Sequence, residues 1–191
     1  PSIDENVEYL FEFIIIDIDD DISSLSLSMS NNPEWLSLSN FVLSGTPGDY
    51  DVGVNYLFFT LSDGQLNTNV EFELIVNPVN DAPIAIEQDL TTQEDQELII
   101  ILSASDIDNN ILFYNISQNP NSGIISITDN IVTYMPDQDF NGYDSFIFEV
   151  SDGELTDENI ISITIEGVND SPVISDISDL TIDEDSQFEY E

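Results

Sequence analysis

The sequence predicts an all-β fold made of tandem Greek-key β-sandwiches, and three observations carry that prediction. The chain repeats itself at a fixed spacing, its apolar residues alternate with period two, and turn residues interrupt it at short intervals. The spacing is 89 residues, as Gly53 and Gly142 show. Pro47 and Pro136 keep the same register, as do Glu5 and Glu94, "DID" at Asp17–Asp19 and Asp106–Asp108, and "SDG" at Ser62–Gly64 and Ser151–Gly153. "VNDAP" at Val79–Pro83 returns as "VNDSP" at Val168–Pro172, and "IDED" at Ile182–Asp185 echoes "IDEN" at Ile3–Asn6. The expected division is therefore a repeat over 1–83, a second over 84–172, and a remainder over 173–191. That remainder reads as the first strand of a further repeat or as an inter-subunit tail.

Each repeat reads as strands. Leu57, Phe59 and Leu61 alternate with other residues, as do Phe146, Phe148 and Val150 in the second copy. Phe72, Leu74 and Val76 match Ile161, Ile163 and Ile165 in the same way. Period two with β-branched and aromatic residues is the strand signature, and no segment shows a helical period. Roughly seven short strands per repeat, parted by turns such as "NPNSG" and "DQDFNG", indicate a sandwich of immunoglobulin type. The tyrosines, the phenylalanines and Trp35 are expected in the core or between the sheets.

The charge excludes several functions. The 191 residues include 40 Asp and Glu and no Lys, Arg or His, for a net charge of −40. Hydrophobic residues still make up 41% and aromatics 10%, enough for a packed core. Nucleic acid is excluded as a partner, because phosphate binding depends on Lys and Arg. Anionic membrane surfaces would repel the chain. No apolar run approaches the roughly 18 residues that span a bilayer, so direct membrane insertion is not expected. Side-chain salt bridges and Lys–Asn crosslinks are unavailable, and without cysteine so are disulfides. Cations from solution are left to offset the repulsion. The opening "PSIDEN" lacks an initiator methionine and a signal peptide, and reads as part of something longer.

Position within the repeat separates some carboxylates from a merely solvated surface. "ASDIDNN" (Ala104–Asn110) falls where one strand ends and the next begins, and "VNDAP" closes the last strand of a repeat. Both belong at sandwich ends, where successive repeats meet. Oxygen donors without His or Cys argue against typical zinc and copper sites. Carboxylates, amide oxygens and carbonyls on turns suit the six to eight oxygen ligands that calcium takes. Asp and Gly also favour turns for their own sake, so "DID" and "SDG" admit a purely local reading.

"QEDQELIIILSASDIDNNILFYNIS" resembles the opening of a cadherin repeat, with a glutamate in the first strand and Asp-x-Asp after the second. "SDG" resembles the cadherin motif late in the sixth strand, and "VNDAP" its Asn-Asp linker. The first repeat, with "PEWLSLSNFVLSGTPGDYDVG", looks more like the dystroglycan-type branch. The second, with "YMPDQDFNGYDSFIFEVSDGE", looks like bacterial cadherin-like repeats found in tandem in large surface proteins. The resemblance spans the whole chain and implies calcium between successive repeats. Carried over, Glu5, Asn80, Asp81, Asp106, Asp108 and Asp152 would form the internal junction. Asp17, Asp19 and Asp63 would face a preceding repeat, and Glu94, Asn169 and Asp170 a following one. The linker is one residue shorter than the family's, and the mid-domain glutamate motif has no clear counterpart. Both departures imply fewer or weaker ions.

The function these readings imply is a calcium-stiffened structural or adhesive segment of an extracellular microbial surface protein or filament. Its partners would be calcium and neighbouring repeats or identical subunits. A loop-mediated glycan- or protein-binding module is the alternative, and exposed aromatics on one loop face would favour it. An enzyme is not expected, because carboxylate-pair chemistry such as glycoside hydrolysis would need a pair outside the calcium set. Asn115-Ile-Ser117 and Asn169-Asp-Ser171 fit the glycosylation acceptor pattern, a short motif that also arises by chance.

Overall fold

Alternating apolar residues bury one face of a strand, and two such faces must close on each other. In the computed structural model, which describes residues 1–108, 111–173 and 184–185, this happens twice along the chain. The first set comprises β1 (Ser2–Asp4), β2 (Tyr9–Glu12), β3 (Ser26–Ser30), β4 (Leu36–Ser39), β5 (Val42–Gly45), β6 (Gly53–Ser62) and β7 (Asn67–Asn77). One sheet runs β1-β7-β6-β3 and the other β2-β5-β4. β1 pairs with β7 in parallel, whereas the other ladders are antiparallel.

The second set comprises β8 (Ile84–Ala85), β9 (Gln88–Gln93), β10 (Leu98–Ile101), β11 (Ala104–Ser105), β12 (Phe113–Gln118), β13 (Gly123–Thr128), β14 (Ile131–Pro136), β15 (Gly142–Ser151) and β16 (Thr156–Glu166). Its sheets β12-β15-β16-β9 and β10-β14-β13 reproduce the first set strand for strand, again with one parallel pair, β9 on β16. The first set thus has the seven strands expected, and the second has nine. The extra pair is β8 with β11, where Ala85 faces Ala104 and Ile84 faces Ser105.

The alternation maps onto burial. Leu57 and Phe59 of β6 and Leu74 and Val76 of β7 are buried, as are Phe146, Phe148 and Val150 of β15 and Ile161, Ile163 and Ile165 of β16. Two hydrophobic clusters result. One gathers Tyr9, Leu36, Leu43, Leu57, Phe59 and Leu74, with Trp35 packed against it, and the other centres on Tyr134, Phe146 and Phe148. Phe59 stacks on Phe72 with ring centroids 5.6 Å apart. The only helical elements among the described residues are the 3-10 turns Ile22–Ser24 and Asp49–Asp51, and no described helix is long and apolar enough to cross a membrane.

The repeat extends to backbone conformation. Asn6, Asp95 and Asp185 each follow a glutamate and each adopt the left-handed region, with φ of 60°, 58° and 65°. Short polar residues tolerate that region through local hydrogen bonding. Glu184–Asp185 therefore shows the turn that opens both preceding repeats. The other residues of the expected tail strand, 174–183 and 186–191, lie outside the described residues.

Candidate metal centre

The internal junction is built from three places in the chain. Glu5 ends β1's extended run and is 1% exposed, and its Oε1 accepts the Val79 amide at 2.5 Å. This bond pins the linker to the end of the first set. Asp108 follows β11, where its amide donates to Asp106 Oδ1 at 2.8 Å. Asp108 Oδ2 in turn accepts the Asp81 amide at 2.8 Å, so the linker is also held from the second set. Asp152 lies in the "SDG" turn, where its Oδ1 accepts the amides of Glu154 and Leu155 at 2.7 Å each. Its other oxygen accepts the Asn80 side-chain amide at 2.7 Å.

One carboxylate oxygen each from Glu5, Asp81 and Asp108 lie within 4.8 Å of one another. Among the described residues, Glu5 Oε2 and Asp81 Oδ2 are both buried with no hydrogen-bond partner. A buried, unsatisfied carboxylate oxygen is costly unless a cation or donor reaches it. Desolvation, followed by the charges of Asp49, Asp108 and Asp106, pushes the Asp81 carboxyl above the usual aspartate range. Two unpartnered oxygens, clustered hard donors and no basic side chain fit a hard divalent cation, and the residues present could hold calcium.

The sequence-predicted residues sort unevenly. Glu5, Asp81 and Asp108 come together, and Asn80 and Asp152 join them as a hydrogen-bonded bridge. Asp106 supports Asp108 by accepting the Asp108 amide on its carboxylate, and acts on Asp81 through charge. At the start of the chain, Asp17 and Asp63 cluster with Asp20 rather than with the expected Asp19, again within 4.8 Å. Asp17 Oδ1 accepts the amides of Asp19 and Asp20, and Asp63 Oδ1 those of Gln65 and Leu66. These backbone bonds hold both carboxyls below the usual range. Asp152 is held low likewise, by the Leu155 and Glu154 amides and then by Asn80.

At the far end, Glu94 repeats Glu5, its Oε1 accepting the Val168 amide at 2.5 Å. There the second oxygen accepts the Asn141 side-chain amide at 3.1 Å. Val52 occupies the corresponding position of the first repeat and has no side-chain amide to offer Glu5. Asn169 donates to the Asp170 carbonyl at 3.1 Å, much as Asn80 donates to that of Asp81. Asp49 is the residue that sequence reasoning missed: it sits in the second 3-10 turn, accepts the Asn6 amide at 3.2 Å and adds its charge to Asp81.

Opposite shifts give opposite pH dependences. Asp81, raised by the fold, contributes stability below its unfolded value that is lost as pH rises through its raised one. Asp17, Asp63 and Asp152, lowered by the fold, contribute above their unfolded values and lose that contribution as pH falls through their lowered ones. Without divalent cations, acidification from neutrality should therefore first raise the melting temperature slightly. The melting temperature should then fall in more acidic buffer. Thermal melts across pH in a chelating buffer read both limbs.

Residues 80–164 match a family model described as a bacterial Ig domain. No curated protein matches the chain. Among solved structures, the first two domains of human protocadherin-24 align over 85% of this chain and 88% of that one, at 17% identity and a TM-score of 0.50. An endo-fucoidan hydrolase from glycoside hydrolase family 107 aligns at 23% identity over 88% of this chain, with a TM-score of 0.41. This chain spans only 28% of that enzyme's length. The fold is therefore immunoglobulin-like, with a cadherin tandem among its structural neighbours.

Proposed function

We propose that the chain is two cadherin-like repeats, 1–83 and 84–172, joined by a calcium-binding junction and serving as a structural or adhesive spacer in an extracellular microbial protein. The observation that carries this reading is the pair of buried, unpartnered oxygens of Glu5 and Asp81 beside Asp108. A cation there would join the first sandwich, the linker and the second sandwich in one set of contacts. Glu5, Asp81 and Asp108 would hold it, while Asp106, Asp152 and Asn80 position them. Asp17, Asp20 and Asp63 would take the equivalent role towards a preceding unit, and Glu94, Asn169 and Asp170 towards a following one. Identical subunits placed head to tail would bring those two ends together. No catalytic role is proposed, since the clustered carboxylates are accounted for at junctions and turns.

Small-angle scattering at constant ionic strength tests the spacer role. Calcium should narrow the spread of inter-repeat distances, a chelator should broaden it, and magnesium should restore little. Magnesium demands near-ideal octahedral geometry and dehydrates reluctantly. Scattering that calcium leaves unchanged would remove the stiffening role.

A further inference from the structure

The four-stranded sheet of the first repeat, β1-β7-β6-β3, carries on its outer face a pattern that the second repeat lacks. Along β6, Tyr56 and Phe58 point outward and are 52% and 39% exposed, while Leu57 and Phe59 point into the core. The β6–β7 register sets Tyr56 opposite Glu73 and Phe58 opposite Glu71. Both glutamates are exposed, so each ring has a carboxylate as its cross-strand neighbour on the solvent side. β6 lies between β7 and β3, and β7 between β1 and β6, so all four side chains stand on interior strands.

The 89-residue register maps Tyr56 and Phe58 onto Ser145 and Ile147, and Glu71 and Glu73 onto Ile160 and Ser162. There β15 and β16 pair Ser145 with Ser162 and Ile147 with Ile160. The same ladder thus forms without rings or carboxylates at these four positions, and strand formation does not require them. The face of an aromatic ring is negative, so an adjacent carboxylate gains little from it. A cation laid over the ring is attracted by both groups. No side chain of these 191 residues can supply that cation.

We infer that this face docks an extended segment of a different polypeptide that carries arginine at alternate positions. Charge complementarity favours that occupant, and a second copy of these residues has no basic side chain to bring. Spacing favours it too. The two ring–carboxylate pairs are two residues apart along β6, about 6.8 Å, which is also the separation of same-face side chains in an extended partner. A planar guanidinium stacks on a ring and grips a carboxylate through paired N–H groups, whereas a lysine ammonium is a compact, strongly hydrated charge. An open hollow of about 320 Å³ beside Tyr56 is lined by Asn31 and Asn32, and one of about 480 Å³ beside Phe58 by Ser30 and Thr60. Their amides and hydroxyls are available to the main chain of the partner. None of these residues belongs to the Glu5, Asp81 and Asp108 cluster, so the inference stands apart from the calcium junction.

Titration calorimetry at physiological ionic strength, with a capped Arg-Thr-Arg-Thr-Arg peptide as the probe, tests the inference on the whole chain. The peptide should bind more tightly than Arg-Arg-Arg-Thr-Thr, which has the same composition and charge, and more tightly than its lysine counterpart. Tyr56→Ser/Phe58→Ile installs the residues of the second repeat and should weaken binding roughly five- to thirtyfold, the combined effect of two exposed cation–ring contacts. Glu71→Gln/Glu73→Gln should weaken it as well. Glu149→Gln/Glu158→Gln removes the same charge from a facing pair on the second repeat and should leave the affinity unchanged. Exchanging the rings, as Tyr56→Phe/Phe58→Tyr, should also preserve it. Circular dichroism melts establish that each variant is folded, and the glutamate variants carry the test if Tyr56→Ser/Phe58→Ile is not. No binding of the alternating peptide, or equal binding of the consecutive one, would overturn the inference. So would a loss in Glu149→Gln/Glu158→Gln as large as that in Glu71→Gln/Glu73→Gln, because the attraction would then be the general charge of the chain.

Discussion

Calcium at about a hundredfold over its dissociation constant is expected to stabilise the folded chain by about 2.7 kcal/mol per site. For folding units of under 100 residues, such as 1–83 and 84–172, that corresponds to a rise of roughly 10–20 °C in melting temperature. The cause is local. Among the described residues, Glu5 Oε2 and Asp81 Oδ2 have no donor, and the Asp81 carboxyl already titrates high because desolvation and its acidic neighbours disfavour its charge. A bound cation removes that penalty, whereas monovalent salt screens charge without filling the site. Asp108→Ala should abolish the calcium-dependent rise at this junction. Asp89→Ala, on β9 and away from the cluster, should leave it intact. Differential scanning calorimetry of the three proteins with calcium and with chelator reads the difference directly. A rise of equal size in Asp108→Ala would mean that the stabilising ion binds elsewhere.

Phe148→Ala should be among the most destabilising single substitutions, and its effect should be confined to one repeat. Phe148 is fully buried in the second cluster, where removing a large aromatic side chain costs about 3–5 kcal/mol through lost transfer energy and the cavity left behind. The first cluster, around Leu57 and Phe59, shares no residue with it. If 1–83 and 84–172 are separate folding units, hydrogen exchange should collapse in β12–β16 and persist in β3–β7. Phe59→Ala should give the mirror pattern. Uniform loss of protection in either variant would contradict the proposed division.

The sheets were legible in the sequence because alternation and burial are the same physical fact. Leu57-x-Phe59 and Phe146-x-Phe148 could face inward only as strands, and the 89-residue register carried each assignment to its copy. β8 and β11 were not legible. Two residues are too few to show a period, and their pairing depends on clamps from Asp157 and Asn159, some 70 residues away. At the junction, Glu5, Asp81 and Asp108 could be named because each sits in a motif that recurs. Asp49 could not, since its counterpart is Gln138 and its approach to Asp81 depends on how a 3-10 turn packs. Asp20 was hidden for a similar reason, its counterpart being Asn109. The contrast between Glu5 and Glu94 was written in the sequence as Val52 against Asn141. It acquires meaning only once the Asn141 amide is seen on the Glu94 carboxylate.

Titration calorimetry of calcium into the metal-free chain at neutral pH and constant ionic strength is the most direct test of the junction. The site described here predicts saturable binding in the range of extracellular calcium modules, roughly 0.1–1 mM. It also predicts that Asp108→Ala removes one binding event while the fold persists. Absence of any saturable heat at millimolar calcium, or heat unchanged in Asp108→Ala, would contradict it.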